Sequence, residues 1–142
     1  MNIPIKYPIA KLLKEKGFDE QCYYYYEHAI TEAYNEQDGY SGPFGWEKGE
    51  TNYQSGFHIN NSKYDSSNEA WLLCSAPTIA EVCMWLYEKH GIWIYPFRHD
   101  FNNQFYWHID TAREDEFTSD NVFNSPTEAY TAAIEYTLNN LI

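Results

Sequence analysis

Two short segments, Ile92–Arg98 and Gln104–Asp110, separated by Asp100-Phe101-Asn102-Asn103, constrain this chain more than any other part of it. Each is a run of β-branched and aromatic residues bounded by turn formers, which predicts an antiparallel hairpin. Side chains alternate across a strand, so Ile92, Ile94, Phe105, Trp107 and Ile109 can share one face. Trp93, Tyr95, Tyr106 and His108 then point the other way. Both faces carry large apolar groups, and each must be covered or used. Pro96 has no N–H to give to a ladder, which places the first strand at a sheet edge or at a bulge.

Helix signals flank the hairpin. Thr78-x-x-Glu81 is a capping box, followed by Ile79, Val82, Cys83 and Leu86 at helical spacing and stopped by Gly91. Ser125-Pro126-Thr127-Glu128 combines a serine cap, a first-turn proline and a third-position glutamate, and opens a helix running to about Asn140. Glu128, Thr131, Glu135 and Asn139 cluster on one side of it, leaving a wide apolar remainder. The likeness of Ser75-Ala76-Pro77-Thr78 to Ser125-Pro126-Thr127 is that of two helix starts, not of a repeat. Near the N-terminus, Pro8 to Lys16 reads as a helix ended by Gly17, with Ile9, Leu12, Leu13 and Lys16 on one side. Cys22-Tyr23-Tyr24-Tyr25-Tyr26 reads as a strand. Phe57-His58-Ile59 and Trp71 to Cys74 read as shorter ones, and Arg113 to Asp120 as an acidic loop. Gly39, Gly42, Gly45 and Gly49, with Pro43, Phe44 and Trp46 among them, predict a long loop over residues 35–56, the kind that is often functional. The expected fold is a single α+β domain over 1–142: a small, mainly antiparallel sheet with two to three helices packed on one face.

Composition enters through the core. Seven Leu, eleven Ile, two Val and eight Phe are few for 142 residues, whereas fourteen Tyr and five Trp bring large rings. Burying such a ring removes about 150–250 Å² from water. The expectation is a core built on rings more than on aliphatic side chains.

Charge narrows the partners. The net charge is −12. Residues 64–142 carry twelve acids against Lys89, Arg98 and Arg113, whereas residues 1–63 carry nine acids against six bases. Nucleic-acid backbones are bound through Lys and Arg, so direct nucleic-acid binding is not expected. An acidic surface keeps a protein in solution, mimics nucleic acid as a decoy, or docks on a basic partner. No apolar run approaches the roughly 18 residues of a membrane span. Cys22, Cys74 and Cys83 form no C-x-x-C pair, and with no signal-like segment they point to a reducing compartment, the cytoplasm.

One larger pattern runs through these segments. It begins with Leu12-Leu13-Lys14-Glu15-Lys16-Gly17-Phe18-Asp19-Glu20 and Cys22-Tyr23-Tyr24-Tyr25. It continues with Ser75-Ala76-Pro77-Thr78, Trp85-Leu86 and Glu88-Lys89-His90-Gly91-Ile92, and closes with Ser125, Pro126, Glu128-Ala129, Ala133 and Leu138 to Ile142. Together these resemble a family of small proteins carried by phages and prophages of gut bacteria. The resemblance implies a setting, a mobile-element product inside a bacterial cell, and carries over no functional residue and no activity. Tyr87 stands where that family is usually basic, and residues 35–56 look expanded, so a basic-surface role does not carry over.

Candidate chemistry is sparse. His108-x-Asp110 sets two metal-capable groups on one strand face, but spacing assigns no third from His99 or His58, and no metal or other cofactor is expected. Cys83 falls on an apolar helix stripe, and Cys74 precedes a helix start without an assignable base and acid. His90, near a helix C-terminus, is expected to carry partial positive charge against the dipole. There is no nucleophile elbow, phosphate loop or dinucleotide fingerprint, so no catalytic residue is assigned and an enzyme is not favoured. The remaining signal is aromatic: Trp93, Tyr95 and Tyr106 on the second hairpin face, and Phe44 and Trp46 in the glycine-rich loop. These rings either finish the core or wait for a partner. The leading expectation is a non-enzymatic protein binding a host or defence protein through an acidic and aromatic surface. A pocket between the sheet and the 35–56 loop, serving a small molecule, a peptide or hydrolysis, is the alternative. A structural virion component forming homo-oligomers is a third.

Overall fold

A computed structural model describes residues 3–28, 34–35, 39–40, 51–60, 72–99 and 103–142. Their backbone contacts gather into two compact units, Lys6–Pro77 and Met1–Ile5 with Thr78–Ile142. Three helices and small antiparallel sheets make up the described residues, an α+β fold. The strands divide among separate sheets instead of joining one.

In the Lys6–Pro77 unit, helix α1 spans Tyr7–Glu15, with Pro8 in its first turn. Gly17 takes φ 88°, and the Phe18 N–H reaches back to the Leu13 carbonyl at 2.9 Å, closing the helix end. Ile9, Ala10 and Leu13 form its buried side. Strand β1, Cys22–His28, is the Tyr-rich run, and it lies between β4, Thr51–His58, and β5, Leu72–Ser75. β2, Tyr34–Asn35, pairs separately with β3, Gly39–Tyr40. Residues 35, 39–40 and 51–56 are thus strand where a loop was expected. Glycine density outweighed the β-formers Thr51 and Tyr53 in the sequence, whereas β1 pairs with Thr51 to Ser55 and, past an irregularity in register between Cys22 and Tyr24, with His58. Phe44 and Trp46 lie outside the described residues, as does most of the 35–56 stretch against which a pocket was expected.

The other unit carries α2, Ile79–His90, α3, Pro126–Asn140, and the sheet β6-β7-β8, formed by Ile92–Arg98, Phe105–Thr111 and Glu116–Thr118. The Thr78 hydroxyl accepts the Glu81 N–H at 3.3 Å and the Glu81 carboxylate accepts the Thr78 N–H at 2.6 Å, so both arms of the capping box are made. At α3 the Ser125 hydroxyl accepts the Glu128 N–H at 3.2 Å, but the Glu128 carboxylate accepts from the Asn124 N–H, one residue earlier, at 3.0 Å. Gly91, at φ 64°, ends α2, and its carbonyl accepts the Ala112 N–H at 2.9 Å. A Cβ at position 91 would stand 2.9 Å from that of Ala112, so both backbone shape and space require glycine there.

The hairpin register is Ile92↔Thr111, Ile94↔Ile109, Pro96↔Trp107 and Arg98↔Phe105. It puts the expected set on one face, against which α2 and α3 pack. β6 is an edge strand. The Trp107 N–H and carbonyl both turn toward Ser119, at 3.1 Å each, so the nitrogen and carbonyl of its partner Pro96 face the free edge and the missing N–H removes no hairpin hydrogen bond. β8 corrects the expected acidic loop: Glu116, Phe117 and Thr118 pair with Asp110, Ile109 and His108.

The core also corrects an expectation. Among the described residues it consists of Ile, Leu, Val and Ala side chains such as Ile79, Leu86, Ile109, Ile134 and Leu138, with only Phe18, Trp85 and Trp107 contributing rings. No tyrosine whose side chain is described is fully buried. A phenol hydroxyl needs a partner when it leaves water, and tyrosines meet that need at the margin, as Tyr136 does in contacting both Trp107 and Phe117.

Candidate functional site

The outer face of β6-β7-β8 follows from the same register. Its first row runs Trp93, Asp110, Glu116; its second Tyr95, His108, Thr118; its third Phe97, Tyr106. Strands lie about 4.8 Å apart, close enough for rings on neighbouring strands to touch. Phe97 stacks on Tyr106 with centroids 5.3 Å apart, Tyr95 tilts over His108 at 5.0 Å, and His99 adds a further ring beside Tyr106 at 5.2 Å. From the end of α2, Tyr87 meets Trp93 edge to face at 5.2 Å and 80°. Trp93, Tyr95 and Tyr106, singled out in the sequence, therefore lie on one surface. Trp93 is 49% exposed, Tyr87 51% and Phe97 39%. These rings do not finish the core.

Acids border the aromatic field. His108 lies between two hydrogen bonds, Nδ1 to the Thr118 hydroxyl and Nε2 to Asp110 Oδ1, each 2.9 Å. Glu116 supplies the third donor that sequence spacing left unassigned. One imidazole nitrogen and two carboxylate oxygens lie within 4.8 Å of one another, the composition of a divalent-cation site. The Tyr95 phenol is pushed up, by desolvation first and then by Asp110 and Glu116. It stays neutral and able to donate.

Thr78–Ile142 holds ten carboxylates against Lys89, Arg98 and Arg113. A depression of about 520 Å³ at the first row is lined by Tyr87, Glu88, Gly91, Trp93, Asp110 and their neighbours.

Of the nucleophile candidates, Cys74 is buried and Cys83 half-buried. Cys74 is 1% exposed, and burial pushes the Cys83 thiol up to about 12. His90 packs edge-on against Trp85 at 4.8 Å, and desolvation lowers its pKa.

Sequence reasoning missed Tyr87, Phe97 and Glu116. Only the Glu-Phe-Thr alternation of 116–118 carried a signal for the last, a short one inside an acidic run. No helix among the described residues is long and apolar enough to cross a membrane. Comparisons with protein-family models, curated proteins and solved structures find no match to the chain.

Proposed function

We propose that the chain is a non-enzymatic interaction protein that engages a basic protein partner through the outer face of β6-β7-β8. The observation that carries this reading is the face itself: half-exposed rings in register across two strands, bordered by Asp110, Glu116 and Glu88. Tyr and Trp surfaces with few aliphatics are the composition of interface anchors, and a negative border steers a positive partner. The depression at its first row is open to solvent, unlike the enclosed pocket that a small substrate needs. In the phage or prophage setting implied by the sequence resemblance, the partner is a host or defence protein.

The test compares the full chain with a W93A/F97A/Y106A variant as baits in bacterial lysate. The expected result is a basic protein retained by the native chain at low ionic strength, released as salt shortens the screening length toward about 8 Å, and absent from the variant. Retention equal on both baits would sink the reading, as would an identified partner whose binding maps elsewhere on the chain.

A further inference from the structure

We propose that the corner between Tyr87 and Trp93, with Asp110 and Glu88 beside it, is an anchor site for one arginine side chain of a protein partner. The inference rests on the interaction reading above and names the chemistry that the first row of the face recognises.

Two aromatic planes meeting at 80° with both rings about half exposed form two walls of a cation-binding corner. The electron-rich face of each ring attracts a positive group placed over it, tryptophan most strongly. The depression beside them opens to solvent over Gly91 and Ala112, and both of its acidic lining residues are carboxylates in position to meet a cation. Asp110 stands directly across from Trp93 in the β6–β7 register. Its Oδ1 is engaged by His108, while among the described residues its second oxygen and the Glu88 carboxylate have no hydrogen-bond partner.

A planar guanidinium suits this arrangement better than an ammonium. It can lie flat on the Trp93 indole while its edge donates to a carboxylate, and it sheds its water shell more readily. The glycine at position 91 keeps the floor low: its left-handed backbone turns the chain from α2 into β6 within one residue, and that turn sets Tyr87 against Trp93.

The test follows the Trp93 indole N–H by NMR on the ¹⁵N-labelled full chain, its resonance assigned by its loss in W93F. The probes are Nα-acetyl-arginine amide, the lysine and citrulline counterparts, tetramethylammonium, and a short arginine-rich peptide. Saturable shifts of Trp93 with arginine amide are expected. The arginine amide should bind more tightly than the lysine one, and citrulline, which keeps the shape and loses the charge, should bind least. Truncating a wall or neutralising the acid, in Y87A or D110N, should weaken arginine binding by about three- to tenfold. The two variants perturb different elements, so a folding defect in one leaves the other decisive.

Citrulline binding as well as arginine, lysine or tetramethylammonium binding better, or a silent Trp93 would each overturn the anchor. If the arginine-rich peptide shifts the Phe97 and Tyr106 row but not Trp93, the anchor falls while the interaction reading stands. If it shifts no residue of the face, both fall.

Discussion

At Asn60 a single carboxamide oxygen accepts the Ser75 N–H at 2.9 Å, with both residues sealed from solvent. Removing that oxygen leaves a buried donor without its acceptor, so N60A should cost about 1–3 kcal/mol in urea unfolding. A midpoint unchanged from the native chain would show that the bond contributes nothing. Cys83 offers a chemical readout of burial. With its thiol pushed from 9.0 to about 12, the folded chain holds about a thousandfold less thiolate near pH 8 than an unperturbed cysteine would. Alkylation of Cys83 by iodoacetamide, followed by mass spectrometry, should therefore be slow in the native chain and fast in denaturant. Because the folded state binds this proton more tightly, the associated stability is complete below pH 9. It is lost as pH climbs from 9 toward 12.

Among the elements, α2 depends most visibly on its start. T78A removes the hydroxyl that accepts from Glu81 and should destabilise the protein by about 1 kcal/mol, whereas T78S should retain most of the cap. Thermal unfolding of the two variants checks this, and equal loss in both would mean that the methyl group, not the hydroxyl, matters. The helices were legible in the sequence because capping and periodicity are local: Thr78-x-x-Glu81, Ser125-Pro126 and Gly91 each act within one turn. The hairpin was legible for a similar reason, since alternation in Ile92–Arg98 and Phe105–Thr111 fixes which side chains share a face. What stayed hidden depended on distant partners. β8 is three residues long and becomes a strand only by pairing with β7, and β4 needs β1 across an intervening stretch of more than twenty residues. The candidate site divided along the same line. Trp93, Tyr95 and Tyr106 could be read from one hairpin, but Tyr87 and Glu116 arrive from other elements. Among the described residues the core was misjudged because ring count was treated as ring burial, whereas the fully buried side chains there include Leu86, Ile109, Ile134 and Leu138.

For the whole molecule, 21 acids against nine bases impose self-repulsion that folding concentrates. Screening should relieve it, so the thermal midpoint is expected to rise by about 2–5 °C between roughly 20 mM and 300 mM NaCl. Scanning calorimetry reads this directly, and a falling midpoint would show that attractive ion pairs outweigh the repulsion. Binding to a basic partner should respond in the opposite sense, weakening over the same range. Salt thus separates what holds the fold from what the surface recruits.

Pro96 has a consequence for assembly. The rim of β6 is where a strand from another molecule would add itself, and cross-chain stacking of that kind needs an unbroken line of donors. A proline with its empty position turned outward interrupts that line at its middle, while leaving the hairpin intact. Fibril-like growth from this flank is discouraged, and recognition by backbone zippering is discouraged with it. A partner of the kind proposed above would then be chosen by the rings and carboxylates it meets and not by strand addition.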